Sequence, residues 1–210
     1  MSLLNFFKHP HKIKGIIGYF DLAEWWRTEF TESERQYIKN NYNSPWVSGE
    51  SLDETDITYT SESIISFLSG LAGFFTKQED IIIGYRILSK AEEIIDENSN
   101  IIDNHFLYQT KVKIYYRNRD RDPKALDRAI EACNQQIDIG PRAIKAFREE
   151  LGEELGNTLP THKGFEQLAI IKEKQKNYSE AIDICKKALQ QGWSGDWEKR
   201  IERCLKKSHK

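Results

Sequence analysis

The chain has 210 residues, which is enough for one domain of ordinary size or for two small ones. Its 31 basic and 33 acidic residues give a formal net charge of -2, so no overall charge attracts it to nucleic acid or to a membrane surface. No apolar run approaches the length of a spanning helix. We therefore expect neither a nucleic-acid partner nor a membrane partner.

Residues 1–18 are predicted to form a flexible basic tail. The "KHPHK" stretch in this tail carries His9 and His11. Two histidines alone do not complete a metal site, so we expect no metal here. The start of the chain also lacks the small-residue cleavage pattern of a secretory signal.

Residues 19–60 are predicted to form an aromatic-rich helical cap followed by a polar linker. The spacing in "DLAEWWRTEF" brings Trp25, Trp26 and Phe30 together, and the following "TESE" reads as a capping box that opens a second short helix. Two interpretations of the aromatic group remain open. It is either a binding surface centred on Trp25 and Trp26, or a set of rings that covers the exposed end of a helix stack.

Residues 61–210 are predicted to form helical repeats, at about 65–98, 105–141 and 162–193. In each repeat, apolar residues at helical spacing mark two short helices that are joined by a polar turn. Two such helices cannot bury their apolar faces alone, so hairpins of this kind stack in arrays.

Insertions separate the predicted repeats. Gly84, Ala129 and Ala181 are small residues at equivalent positions of the three repeats, and their separations of 45 and 52 residues are unequal. An apolar stripe in the longer gap predicts an inserted helix at 142–155. A last amphipathic helix at 195–207 is predicted to cap the array.

Three sequence patterns carry a family resemblance. They are "L-A-x-x-F" from Leu71 to Phe75, "A-I-x-x-C-x-x-A" from Ala181 to Ala188, and the proline Pro141 that follows the second repeat. With these patterns the chain resembles tetratricopeptide-repeat (TPR) proteins, whose repeat is about 34 residues long. The resemblance implies an all-α, TPR-like α–α superhelix, a solenoid of helical hairpins with an N-terminal helical cap, built here from degenerate repeats.

The resemblance also implies a binding groove, because the first helix of each TPR unit lines the concave surface. The residues that would face this groove are Ser69, Gly73 and Lys77 in the first repeat, Lys113 and Arg117 in the second, and Glu166, Ile170, Glu173 and Lys174 in the third. The cations of the second repeat suit an acidic group on a ligand. The carboxylates of the third repeat would orient an extended ligand along the groove.

Two functions follow from these observations. The first is a protein–protein interaction module or scaffold that binds a peptide or protein surface through the groove. The alternative is a small-ligand-binding protein or an enzyme, with a pocket between the N-terminal aromatic cap and the inserted helix. The first is favoured because repeat geometry creates surface, whereas no sequence motif indicates chemistry.

No catalytic motif is found, neither a nucleophile elbow nor a phosphate-binding glycine loop nor a metalloprotease helix. We therefore expect a protein that is not an enzyme, with no catalytic residue and no cofactor. Its three cysteines, Cys133, Cys185 and Cys204, lie far apart among apolar residues. They predict buried, reduced thiols in a cytoplasmic protein, and we expect a monomer or weak dimer.

Overall fold

A computed structural model describes residues 12–42, 48–152 and 159–208 of the chain. These residues are mostly helical, which confirms the all-α class. They divide into two compact units, with the boundary at Ile64. The helices of the first unit are α1 (Gly15–Tyr19), α2 (Ala23–Glu29), α3 (Glu32–Asn41) and α4 (Glu50–Asp53).

The second unit holds the predicted repeats. Its elements are α5 (Ile64–Ala72), α6 (Ile81–Glu93), α7 (Ile101–Asn118), α8 (Ala125–Asp138), α9 (Gly140–Leu151), β1 (Leu159–Thr161), α10 (Lys163–Lys174), α11 (Tyr178–Gln191), β2 (Trp193–Ser194) and α12 (Trp197–Ser208). The two short strands pair in parallel, and the sequence pattern did not predict them.

The first unit corrects the predicted tail and linker. The backbone N–H of Lys14 donates to Asp53 O at 3.0 Å, and the N–H of Gly15 donates to Thr55 O at 2.8 Å. Ile17 and Leu52 are fully buried, because pairing α1 with α4 removes both side chains from water. Residues 12–18 are thus packed and hydrogen-bonded rather than a flexible tail, and the predicted linker contains α4. The remaining tail residues, including His9 and His11, and residues 43–47 lie outside the described part of the chain.

The capping box is present at the start of α3. The backbone N–H of Glu34 donates to Thr31 Oγ1 at 3.2 Å, while the N–H of Thr31 donates to Glu34 Oε2 at 2.8 Å. Each residue thereby satisfies one N–H group that has no partner within the helix. This pair fixes the start of α3.

In the second unit, α7 and α8 pack along each other, and α10 packs against both. The main core joins these helices to α9, α11, β1, β2 and α12. Its buried members include Val112, Ala132, Cys133, Phe147, Leu159, Phe165, Cys185, Trp193 and Trp197. The predicted inserted helix corresponds to α9, in which Pro141 occupies the first turn. Predicted residues 153–155 of this helix lie outside the described ranges.

Two small residues of the repeat pattern lie at close contacts. Ala181 is fully buried and packs with Ile182 and Cys204, so α11 meets α12 there. Gly84 lies against the backbone of Phe75, in the turn that follows α5. The close approach at Gly84 is therefore between a helix and a turn.

Replacing Gly84 with alanine is expected to destabilise the protein. An ideal Cβ at this position would lie 2.4 Å from Phe75 O, so the turn would have to move. We expect the free energy of unfolding of Gly84→Ala to fall by about 1–3 kcal/mol. Gly70→Ala is the matched control in α5, because a Cβ there meets nothing within 4 Å. The free energy of unfolding of Gly70→Ala, measured by urea denaturation, should rise by about 0.5–1 kcal/mol. Equal stability of the two variants would contradict this packing.

Candidate functional site

The first helices of the three predicted repeats lie side by side. Ser69 of α5 hydrogen-bonds Thr110 of α7, with 3.0 Å between the two hydroxyl oxygens. Lys174 of α10 donates from Nζ to the hydroxyl of Tyr116 in α7 at 3.0 Å. These contacts place α7 between α5 and α10. The predicted groove residues therefore come from segments that meet at α7, and the side of the second unit on which they lie is called the predicted groove face.

Four cations that have no acidic partner among the described residues lie on this face. They are Lys77, Lys113, Arg117 and Lys174, here called the basic surface, and all four are exposed. Arg117 donates to the Thr76 hydroxyl at 3.2 Å, and Lys174 donates to the hydroxyl named above. In the described ranges none of the four forms an ion pair. Their charge is available to a partner.

Other predicted groove residues are engaged within the fold. Ser69 is only 6% exposed because its hydroxyl faces α7, which corrects its assignment to an open surface. Gly73 is exposed just after α5, and Ile170 is half-buried on α10. Glu166 is paired with Lys163, with 2.9 Å between Nζ and Oε2.

Glu173 is the largest correction to the predicted groove. Its carboxylate is bound by three cations of α12: Arg200 at 3.0 Å, Arg203 at 2.8 Å and Lys207 at 3.0 Å. The hydrogen bonds from Arg203, more than any other contact, lower the pKa of Glu173 to about 2. The charge that was expected to orient a ligand instead holds α12 on α10. The sequence could not show this, because the three cations come from an element predicted only as a cap.

Replacing Glu173 with glutamine should weaken the attachment of α12. The change removes the negative charge that three cations share, so we expect the free energy of unfolding to fall by about 1–3 kcal/mol near pH 7. Because the folded-state pKa is depressed, the difference from wild type should disappear as pH falls from about 4.5 towards 2. Glu202→Gln, at an exposed position on α12, is the control and should cost less than about 0.5 kcal/mol. Equal loss in both variants would contradict this role of Glu173.

The aromatic group of the first unit is not an open surface. Trp26 is fully buried, and its Nε1–H donates to Asp53 Oδ2 at 3.0 Å. Trp25 is half-buried and meets the buried ring of Phe30 edge-on, with 5.3 Å between ring centroids. Burial of a tryptophan whose N–H has a partner is a stabilising core arrangement. Trp26 therefore belongs to the core of the first unit, which corrects its assignment to a binding surface, whereas Trp25 lies half-buried beside it.

A buried polar cluster, missed by sequence reasoning, joins α7, α8 and α10. The side-chain amide of Gln136 donates to His105 O at 2.9 Å and lies 3.1 Å from His105 Nε2. Its Oε1 accepts the backbone N–H of Gly164 at 2.6 Å. Trp193 stacks on His105, with 5.4 Å between ring centroids. We call His105, Gln136, His162 and Trp193 the polar seam.

Both histidines of the polar seam are held neutral. His162 Nδ1 accepts the backbone N–H of Phe165 at 3.2 Å, and its Nε2 lies 3.3 Å from Gln136 O. This pattern requires one proton on the ring, at Nε2. Burial lowers the pKa of His105 to about 4, and burial together with the nearby His105 lowers the pKa of His162 to about 3. The only sequence indication was two histidines in otherwise helical, partly apolar segments.

Stability should therefore fall in mild acid. Both histidines bind a proton more readily in the unfolded chain, near pH 6.5, than in the folded protein, so acid favours unfolding. Between about pH 7.5 and about pH 5.5 we expect the free energy of unfolding to drop by about 2–3 kcal/mol in urea titrations. His105→Gln should roughly halve this drop. A free energy of unfolding that does not change over this pH range would show that the two rings are not buried in the neutral form.

The three cysteines are buried and unpaired. Burial raises the pKa of Cys133 to about 12 and that of Cys185 to about 11, so neither thiol is ionised near neutral pH. A protonated thiol is a poor nucleophile. The cysteines therefore act as small core residues at the contacts of α8, α11 and α12.

Comparison of the chain with protein-family models, with curated proteins and with solved structures finds no match in any of the three. Among residues 12–42, 48–152 and 159–208, no helix combines the length and the apolar character that crossing a bilayer demands. The same residues bring together no group of three or more potential metal ligands of the His, Cys, Asp or Glu type. The functional argument therefore rests on the geometry of the basic surface.

Proposed function

We propose that the protein is a TPR-like interaction module that binds an acidic, extended segment of a partner protein across the basic surface. Two observations support the TPR-like reading: α7 packs along α8 and α10 along α11 as helical hairpins, and α7 contacts α10. The observation that carries the proposal is the grouping of four exposed cations around α7, where Arg117 bonds Thr76 and Lys174 bonds Tyr116, with no carboxylate partner among the described residues. Exposed cations that no carboxylate neutralises favour an acidic partner.

The contacts of the basic surface orient its charges without neutralising them. Arg117 is held by a threonine hydroxyl and Lys174 by a tyrosine hydroxyl, and both acceptors are neutral. Lys113 and Arg117 lie one helical turn apart on the same face of α7. Each exposed cation alone contributes little to affinity, typically below about 1 kcal/mol. The cations act together, mainly by attracting an acidic segment and setting its position.

An exposed aromatic side chain lies beside the cations and favours a partner that also offers an apolar residue. Phe106 is 43% exposed and lies on the same face of α7 as Lys113, two helical turns earlier. The rise between them is about 10 Å, which an extended peptide spans with about three residues. The best partner segment is therefore one with a large apolar residue about three positions from its acidic group.

The test is a charge-reversal double variant, Lys113→Glu with Arg117→Glu. The control is Lys186→Glu with Lys187→Glu on α11, which changes the net charge equally at exposed positions away from the basic surface. The probe is a labelled extended peptide rich in Asp and Glu with one Phe, compared with a Lys-rich peptide of the same length. We expect saturable binding of the acidic peptide only, weakened about tenfold or more by the first variant.

The salt dependence separates this proposal from weak nonspecific attraction. Wild-type affinity should be highest at low salt, and the difference between wild type and the charge-reversal variant should shrink as screening increases. The α11 control should bind within about twofold of wild type. Similar loss in both double variants, or equal binding of acidic and basic peptides, would overturn the proposed function.

A further inference from the structure

A cavity lies beside the inserted helix, on a different side of α7 from the basic surface. It has a volume of about 440 Å³ and is bordered by α9, the first turns of α7 and the segment between α6 and α7. This volume is within the range of pockets that hold small molecules. Its apolar wall includes Ile95, Ile101 and Ile139, and its polar wall includes Asn104, Tyr108 and Arg142.

Three polar groups of this cavity have no hydrogen-bond partner among the described residues. Asn104 is only 5% exposed, and its Oδ1 is buried without a hydrogen bond. A buried amide oxygen without a donor is costly, so the position is suited to an external N–H or O–H group. The Arg142 guanidinium and the Tyr108 hydroxyl, which line the same cavity, also form no hydrogen bond or ion pair with the described residues.

The rim of the cavity also carries negative charge, opposite in sign to that of Arg142. Asp96, Glu97 and Glu149 border it together with Arg142. Asp96 is partly occupied, because its Oδ1 accepts the backbone N–H of Asn98 at 2.9 Å. Glu149 is 3.7 Å from Lys145, which is a loose exposed pair. Two cations, Arg142 and Lys145, and three carboxylates border the cavity beside its apolar wall, and this mixture suits a ligand that carries both charges.

We propose that this cavity binds a small zwitterion of the amino-acid type with an apolar side chain. The carboxylate of the ligand pairs with Arg142 and accepts from the Tyr108 hydroxyl. Its ammonium donates to Asn104 Oδ1 and is further favoured by the acidic rim. The apolar side chain of the ligand packs on the isoleucine wall. The site is independent of peptide binding at the basic surface.

The test uses isothermal titration of the full chain with each common L-amino acid. We expect at least one apolar amino acid to bind saturably, with a dissociation constant of about 1 mM or tighter. N-acetylation of that ligand removes the ammonium and methyl esterification removes the carboxylate, so each should weaken binding about tenfold or more. Arg142→Gln should weaken binding to a similar extent. Arg148→Gln, also exposed on α9 but outside the cavity, is the matched control and should bind within about twofold of wild type.

The outcomes that overturn the proposal are specific. Absence of saturable binding by any amino acid up to about 10 mM excludes a zwitterion site of useful affinity. Undiminished binding by Arg142→Gln, or by the N-acetylated ligand, excludes the assigned contacts. Asn104→Leu adds a test of the buried oxygen, and circular dichroism checks that this variant is folded. Because Arg142 is exposed, its variant remains decisive even where Asn104→Leu does not fold.

Discussion

The arrangement of the second unit depends on the side chain of Gln136. It is fully buried, and its amide group both donates to the backbone of α7 and accepts from the backbone of α10. A buried amide loses stability unless its hydrogen bonds are satisfied, so this residue admits only one placement of the three helices. Gly164 completes the constraint, because a Cβ there would lie 2.8 Å from Cys133 O. The segments predicted as the second and third repeats are thereby joined directly, although a long insertion separates them in sequence.

The insertion between the second and third predicted repeats packs against the polar seam at both of its ends, through α9 and through β1. Phe147 of α9 meets His105 edge-on, with 5.4 Å between ring centroids. β1 then pairs with β2, and the Ser194 hydroxyl donates to Leu159 O. Pairing at Trp193 holds this ring over His105. The described part of the inserted segment therefore covers the junction of α7, α8 and α10.

Helical periodicity predicts the elements well but not the partners of polar residues. The apolar faces of α8 and α11 follow from the spacing around Ala129 and Ala181, because burial repeats with the helical turn. Glu173 has the same local pattern as an exposed groove residue, and only the distant α12 reveals that its carboxylate is neutralised. Leu52 is one apolar residue in a polar stretch, so nothing local predicts that it packs with α1. A periodic sequence pattern does not show contacts between residues that lie far apart in sequence.

The two proposed sites use opposite faces of α7. Nine residues separate Asn104 from Lys113, and nine residues along an α-helix correspond to a rotation of about 180°. On the first face, Lys111 follows Asn104 by seven residues, and its Nζ is 2.6 Å from a carboxylate oxygen of Glu92. This cation is paired within the fold, whereas Lys113 has no acidic partner among the described residues. Two lysines of one helix thus differ because Glu92 of α6 pairs with Lys111, so only Lys113 keeps a charge that the proposed acidic partner could meet.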